Sequence, residues 1–332
     1  MERRIYVKLL IKQGHILDPA NDMDGIFDLL IEDGRIKAVE KQIEEQADEI
    51  IDARNKYVMP GLIDLHVHLR EPGYEYKETI QTGSKAAARG GFTTICAMPN
   101  TNPATDSPER IKVILKKAKE EAVVNVLPIG AVTKGQAGEE LTDISAMVRA
   151  GAIGMSEDGK SVMDTSLYLQ GMKAASKAGI PVFAHCEDKS LAGDGVINEG
   201  KKAREFNLPG IGNEVEDVIV ARDIILAKAA KAKLHLCHCS TKDSVTFIKM
   251  AKEEQIPVTA EVCPHHFTMS EDEIMTDHGN YKMNPPLRRR EDVIALKEGL
   301  RDNIIDVIAT DHAPHGDEEK NQSSKEAAFG IV

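Results

Sequence analysis

The sequence predicts an α/β protein, a (β/α)8 barrel of the TIM type with a small N-terminal β domain in front of it. Three observations carry that reading. Short runs apolar on both faces, the pattern of parallel strands covered by helices, occur eight times after residue 60 and alternate with helical segments. Eight such alternations match a closed barrel of about 250 residues. The first sixty residues differ, holding short β-type runs parted by turn signals. The 332 residues, 42% hydrophobic and 29% charged, also suffice for a large core without disulfide or metal staples.

Taken in order, residues 1–58 form the β domain. Runs at 7–11, 27–32 and 35–40 are strand-like. Asp33-Gly34 joins the last two as a hairpin, because glycine permits a positive φ. Gly14, Asp18-Pro19 and Asp24-Gly25 mark further turns. Residues 59–332 form the barrel, with strands expected at 62–68, 92–98, 123–129, 152–155, 180–185, 234–238, 257–262 and 304–310. Ser107-Pro108-Glu109 opens a helix with a capping hydroxyl, a proline at the first helical position and an acid in the first turn. Other helices are expected at 164–178, 214–231, 242–254 and 291–300. A doubly wound open sheet is the alternative, but no glycine-rich phosphate loop follows an early strand. Past the eighth run, 311–326 is polar and loop-like and no eighth helix follows. That would leave apolar strand surface bare. The chain is therefore expected to be a C-terminally truncated fragment of a longer protein, a barrel with its last helix missing.

The formal charge of −12 argues against a non-specific nucleic-acid binder, which needs clustered cations. Lys116-Lys117 and Lys201-Lys202 read as solvated faces. No uncharged run approaches the ~18 residues of a membrane span, and the start lacks a signal-peptide pattern. The five cysteines (Cys96, Cys186, Cys237, Cys239 and Cys263) are odd in number and lie mostly in apolar runs. They read as reduced core thiols of a cytoplasmic protein.

The chemistry concentrates at strand ends. His66-Val67-His68 closes the first barrel run, and residues i and i+2 of a strand point the same way. His185 ends the fifth run, His238 ends the sixth, and Asp311 follows the eighth. In a parallel barrel all C-terminal strand ends share one face, where active sites are built. Four imidazoles and a carboxylate are thus expected to converge, which is costly without a cation. Imidazole and carboxylate are the usual Zn2+ ligands, and this many donors suits two metals about 3.5–4 Å apart. Asp158, after the fourth run, is the carboxylate expected to reach both. Glu157 competes, because a one-residue register error exchanges the two.

Six motifs, taken together and in order, resemble the dihydroorotases of the amidohydrolase superfamily, most narrowly the bacterial class I type. They are His66-Val67-His68-Leu69-Arg70-Glu71-Pro72-Gly73, Met98-Pro99-Asn100-Thr101, Ala184-His185-Cys186-Glu187, Cys237-His238-Cys239-Ser240-Thr241, Tyr281-Lys282-Met283-Asn284-Pro285-Pro286-Leu287-Arg288 and Ala309-Thr310-Asp311-His312-Ala313-Pro314-His315. The resemblance runs from the N-terminal strands to Val332. Family members continue through a last helix and back into the small β domain, which agrees with the expected truncation. The resemblance implies reversible ring closure of N-carbamoyl-L-aspartate to L-dihydroorotate plus water, in de novo pyrimidine synthesis. It implies two zinc ions per subunit, held by His66, His68, Asp158, His185, His238 and Asp311. Many amidohydrolases bridge their metals with a carboxylated lysine on the fourth strand. This chain has Ile153-Gly154-Met155 there and Lys160 only in the loop beyond; in the class I type an aspartate takes the bridging place, which the resemblance assigns to Asp158. The chemistry it implies is that zinc would lower the pKa of its water to about 7, that a metal-held hydroxide would attack the ring amide, and that Asp311 would be the catalytic acid and base that passes the proton to the ring nitrogen.

On the substrate side, Arg70 is placed to hold the carboxylate with a bidentate fork, joined by Asn100 and His315. His68, Asn284 and the backbone of Phe329 and Gly330 complete the implied contacts. A homo-oligomer and an association with aspartate transcarbamoylase are implied as well. Blander roles compete: Arg70 paired with Glu71 or Glu75, Asn100 as a turn residue before Asn102-Pro103, and His315 as a solvated loop residue. His15 and His278 read as surface residues, and His235 as helix-facing. Cys237 and Cys239 are expected to face away from His238. His265 and His266 are read either as groups behind the ligands or as core histidines, and His312 carries no role. Two other functions compete: another cyclic amidase, such as an allantoinase or hydantoinase, and a non-enzymatic homologue that kept the barrel. The missing strand-four lysine and the Arg70, Asn100 and His315 set argue against the first, and the intact set of metal and substrate groups against the second.

Overall fold

The computed structural model describes residues 8–332, so Val7, the start of the first expected run, lies outside the described residues. The chain forms two compact units, one ending at Leu62 and the other running Ile63–Val332. In the first unit Lys8–Asp18 pairs antiparallel with Met23–Glu32, which pairs antiparallel with Arg35–Glu40. Glu49–Asp52 and Tyr57–Val58 join the first strand in parallel. Asp33 and Gly34 both have positive φ, 49° and 74°, as a two-residue hairpin turn requires. Gly14 is not a turn. It lies inside the first strand, at a register shift between Ile11 and Gly14. Gln13 there has φ 56° and its N–H donates to the buried Asp28 carboxylate at 2.8 Å, so the extra residue is taken up as a bulge rather than a bend.

In the second unit eight strands follow one another around a ring. They are Leu62–Val67, Phe92–Ala97, Asn125–Pro128 with its continuation Gly130–Ala131, Met155–Ser156, Val182–Ala184, Leu234–Leu236, Val258–Val262 and Val307–Ile308. The ring closes where the chain past the eighth strand meets the first. Val67 and His312 are parallel bridge partners, and the His68 N–H donates to the His312 carbonyl at 2.8 Å. The sheet is therefore a closed barrel and not the open alternative. Asp64 reinforces that seam from within: its buried carboxylate accepts from the Thr310 N–H (3.1 Å), the Thr310 hydroxyl (2.6 Å) and the His66 N–H (3.2 Å).

Seven helices cover the ring: Ile80–Arg89, Pro108–Glu121, Ile144–Ala150, Thr165–Ala178, Glu214–Ala230, Lys242–Glu253 and Arg290–Arg301. The second starts as its sequence predicts, with the Ser107 side chain accepting from Arg110 N–H and Pro108 in the first turn. An insertion that the sequence pattern does not reveal separates the fifth strand from its helix. It holds two short helices, Lys189–Ala192 and Lys201–Phe206, and a parallel strand pair, Ile197–Asn198 with Gly210–Ile211. Segments this short cannot display a period. Cys96, Met98, Ile129, Phe183 and Cys237 pack as one cluster inside the barrel, while Met155, Leu234 and Leu236 pack outward with helix residues such as Met172 and Ile219. After the eighth strand, among the described residues, only the short helix Asp317–Lys320 follows. An apolar cavity of about 170 Å3 opens beside the first helix, lined by residues including Val67, Leu69, Ala87, Phe92 and Val332.

The Asp64 seam is testable. Asp64→Ala strands the Thr310 and His66 N–H groups without acceptors, and a buried donor left unpaired costs about 1–3 kcal/mol. Urea unfolding should show a loss of at least about 2 kcal/mol. Unchanged stability would mean the seam does not depend on this carboxylate.

Candidate active site

At the C-terminal ends of the strands the predicted metal groups come together. His66 Nε2 lies 3.2 Å from Asp158 Oδ1 and 3.5 Å from Asp311 Oδ1. His68 Nε2 lies 3.0 Å from Asp311 Oδ1 and 3.6 Å from Asp158 Oδ2. His185 Nδ1 and His238 Nε2 are 2.9 Å apart, and 3.8 Å and 4.0 Å from Asp158 Oδ1. His238 and Asp311 have positive φ, 33° and 49°, so the backbone leaves its extended path just where these side chains turn inward. Glu157 points elsewhere: it accepts from the Thr133 backbone N–H at 3.1 Å and from the Thr133 hydroxyl. Lys160 also turns away, to the Gln136 carbonyl at 3.1 Å.

Burial alone would push both aspartates up. The neighbouring imidazoles reverse this and hold Asp158 and Asp311 far below the usual carboxylate range. Burial and the neighbouring His185 and His66 push His238 down to about 4, which keeps it in the neutral form that a metal ligand needs. His66 Nε2 and Asp158 Oδ1 are buried and have no hydrogen bond, although they lie 3.2 Å apart. Buried polar atoms are rarely left so. Imidazole nitrogens and carboxylates converging on one point, two of their atoms unpartnered, fit a metal ion.

The same groups floor a cavity of about 140 Å3. Its lining includes His68, Arg70, Asn100, Asp158, His185, His238, Asn284, Asp311, Phe329 and Gly330. Arg70 (φ 60°) is buried and donates through Nε to the Pro314 carbonyl at 3.1 Å. It pairs with neither Glu71, which takes the Ile80 N–H and Lys117, nor Glu75, which takes the Gly73 N–H. Asn100 is no mere turn residue: it meets His68 Nδ1 through Oδ1 at 2.8 Å and donates through Nδ2 to Asp158 Oδ2 at 3.0 Å. Asn284 donates to Glu187 Oε1 at 3.0 Å, and Glu187 Oε2 meets His185 Nε2 at 3.2 Å. Gly330 has φ 155°, and a Cβ there would lie 2.3 Å from the Ala313 carbonyl oxygen, so only glycine lets the loop approach this closely.

His315 does not line this cavity but stands behind Arg70. Lys77 donates to its Nδ1 at 3.1 Å, so the other nitrogen carries the hydrogen and donates to the Phe329 carbonyl at 2.7 Å. Arg70 Nη2, 3.1 Å from that protonated nitrogen, gains no acceptor there and stays available to an incoming carboxylate.

A family model described as dihydro-orotase-like matches residues 55–244. A dihydroorotase of Bacillus cytotoxicus is 51% identical over 323 residues, covering 97% of this chain and 75% of that protein. The chain belongs to the dihydroorotase family. A dihydroorotase of Acetivibrio thermocellus is 48% identical, over 98% of this chain and 76% of that protein. Among solved structures, an L-hydantoinase (dihydropyrimidinase) from Arthrobacter aurescens superposes with a TM-score of 0.84 at 25% identity, covering 97% of this chain and 73% of that one. The chain is thus an enzyme of the dihydroorotase family, a hydrolase with candidate metal groups at its barrel mouth. No helix among the described residues is long and apolar enough to cross a membrane.

Three readings of the sequence need correction. His235 does not face the helices. It meets Thr259 Oγ1 at 2.8 Å and Glu261 Oε2 at 3.0 Å, on the side where Phe183 and Cys237 lie. Strict alternation set it opposite His238, but the positive φ of His238 breaks the alternation. For the same reason Cys237 sits beside His66 and Glu261, while Cys239 alone packs outward. His312 also has a place: Nε2 meets Glu78 Oε2 at 3.0 Å while its backbone closes the ring. The residue the sequence reading missed is Glu261. Wholly buried, it accepts from His66 Nδ1 (2.6 Å), His235 Nε2 (3.0 Å) and the His238 N–H (3.1 Å). Its signal was a lone acid inside the apolar run 257–262, since buried acids are rare unless paired.

Two outcomes are expected. Glu261→Gln leaves His66 less firmly aimed, and losing such a partner typically weakens metal binding about 10–100-fold; competition with a chromophoric chelator measures it, and unaltered affinity would deny Glu261 this part. For His315, burial with Arg70 and Lys77 pushes the imidazole down to about 4, against about 6.5 when unfolded. Its stabilising contribution is therefore complete above about pH 6.5 and lost as pH falls toward 4. Thermal unfolding of the wild type should weaken across that window more than that of His315→Gln. Parallel curves would refute the assignment.

Proposed function

We propose that this barrel mouth binds two zinc ions and interconverts N-carbamoyl-L-aspartate and L-dihydroorotate. The supporting observation is the convergence of four imidazoles, Asp158 and Asp311 beside the buried, carboxylate-free Arg70. His66, His68, His185, His238, Asp158 and Asp311 would hold the metal, with Asp158 central among them. Bound zinc supplies an acidified water and polarises the amide carbonyl. Asp311, kept ionised by its imidazole neighbours, takes the proton of the attacking water and delivers it to the leaving ring nitrogen. Arg70 forks the substrate carboxylate, and Asn100 beside it fixes His68. Asn284 and the Phe329–Gly330 backbone enclose the ring.

A hydantoinase-like activity has support in the fold shared with the Arthrobacter aurescens enzyme, but at 25% identity against 51% to a dihydroorotase. The absence of a lysine at Ile153-Gly154-Met155 and the presence of Arg70 at the cavity favour the acidic substrate. A scaffold without activity would have no need of the complete constellation. Work in the cytoplasm, a homo-oligomer and an association with aspartate transcarbamoylase belong to the same reading and rest on the family resemblance.

Asp311→Asn tests the reading. It keeps an oxygen donor but cannot accept the proton. Metal content should persist in part while turnover of dihydroorotate falls by about 10²–10⁴-fold. Near-wild-type turnover would overturn the role of Asp311, and turnover of hydantoin rather than dihydroorotate by the wild type would overturn the substrate.

A further inference from the structure

At the end of the seventh strand stands a second group of metal-capable side chains that the reaction above does not use. Cys263, His265 and His266 each offer one donor atom, and the three atoms lie within 4.8 Å of one another. The local backbone explains the grouping. Cys263 is extended (φ −91°, ψ 148°) and Pro264–Thr268 turns at once into a short helix, so positions i, i+2 and i+3 come to one side. All three residues are buried, with exposures of 0%, 8% and 2% in that order. His265 Nε2 and His266 Nδ1 have no hydrogen-bond partner. The tautomer of His266 is fixed from its far side: Nε2 lies 2.9 Å from the Pro285 carbonyl, which can only accept. That nitrogen therefore carries the hydrogen, and Nδ1 presents a bare lone pair to the group.

We propose that Cys263, His265 and His266 form a further metal site, with a donor set of its own beside the barrel mouth, for a borderline-soft divalent ion of the zinc class. One thiolate and two imidazoles are donors that such ions prefer, whereas magnesium and calcium seek oxygen. Binding releases the thiol proton of Cys263 to solvent and forms one metal–sulfur and two metal–nitrogen bonds. The Pro285 contact on His266 is the kind of outer hydrogen bond that orients ligating imidazoles.

Cobalt(II) is the probe. The full chain is stripped with a chelator and reloaded with Co2+ alone. A thiolate-to-cobalt charge-transfer band in the near ultraviolet is expected in the wild type. It should be lost in Cys263→Ser together with one equivalent of bound metal. It should persist in Cys237→Ser, whose thiol lies beside His66. The ligands proposed at the barrel mouth include no thiolate, and Cys237→Ser separates this site from the thiol beside His66. A wild type that binds cobalt without the band, or a band that survives Cys263→Ser, would overturn the proposal. A wild type without the band overturns the proposal even if a variant fails to fold, and Cys263→Ala is the second variant that tests the assignment of a band.

Discussion

The closing of the ring between its first and eighth strands is the constraint on which the rest depends. The Val67–His312 bridge and the Asp64–Thr310 contacts set two stretches side by side that are far apart in the chain. They bring His68 within 3.0 Å of Asp311 across 243 positions of sequence. Because every strand runs the same way, the other imidazoles reach that spot without special loops. The β-ladder thus does for the site what no local motif could do.

Within the mouth a division of labour among ring nitrogens follows. Glu261 engages Nδ1 of His66, Asn100 engages Nδ1 of His68, and Glu187 engages Nε2 of His185. In each case the opposite nitrogen is turned to the centre, where Asp158 and Asp311 lie. Three groups outside the proposed ligand set therefore fix which nitrogen each of these imidazoles turns to the centre. Asn100 has a double duty, since it also donates to Asp158. It couples the Arg70 side of the cavity to the imidazoles and carboxylates at its floor.

Much of this was legible in the sequence because two simple periodicities carried it. Both-face apolar runs announced parallel strands, and polar groups at their ends announced the site. Ser107-Pro108 announced a helix start that the structure keeps. What was hidden lay where periodicity stops. Gly14 looked like a turn because glycine serves both turns and bulges, and only the buried Asp28 chooses between them. The insertion spanning Lys189–Ile211 has elements too short to repeat. His235 and Cys237 were set on the wrong face because alternation was carried through His238, whose left-handed backbone ends it. Glu261 was visible as an acid in an apolar run, but its partners come from other strands, and no single stretch of sequence names them.

The shared use of Glu261 has an evolutionary corollary. A single carboxylate serves residues contributed by the first and sixth strands, while itself belonging to the seventh. Drift at any one of those positions burdens the others, so innovation there must be concerted. Arg70 and Phe329 sit on connections instead, where their hydrogen bonds run to Pro314 and His315 rather than to Glu261. New substrate preferences should arise from the rim, while the inner scaffold stays frozen.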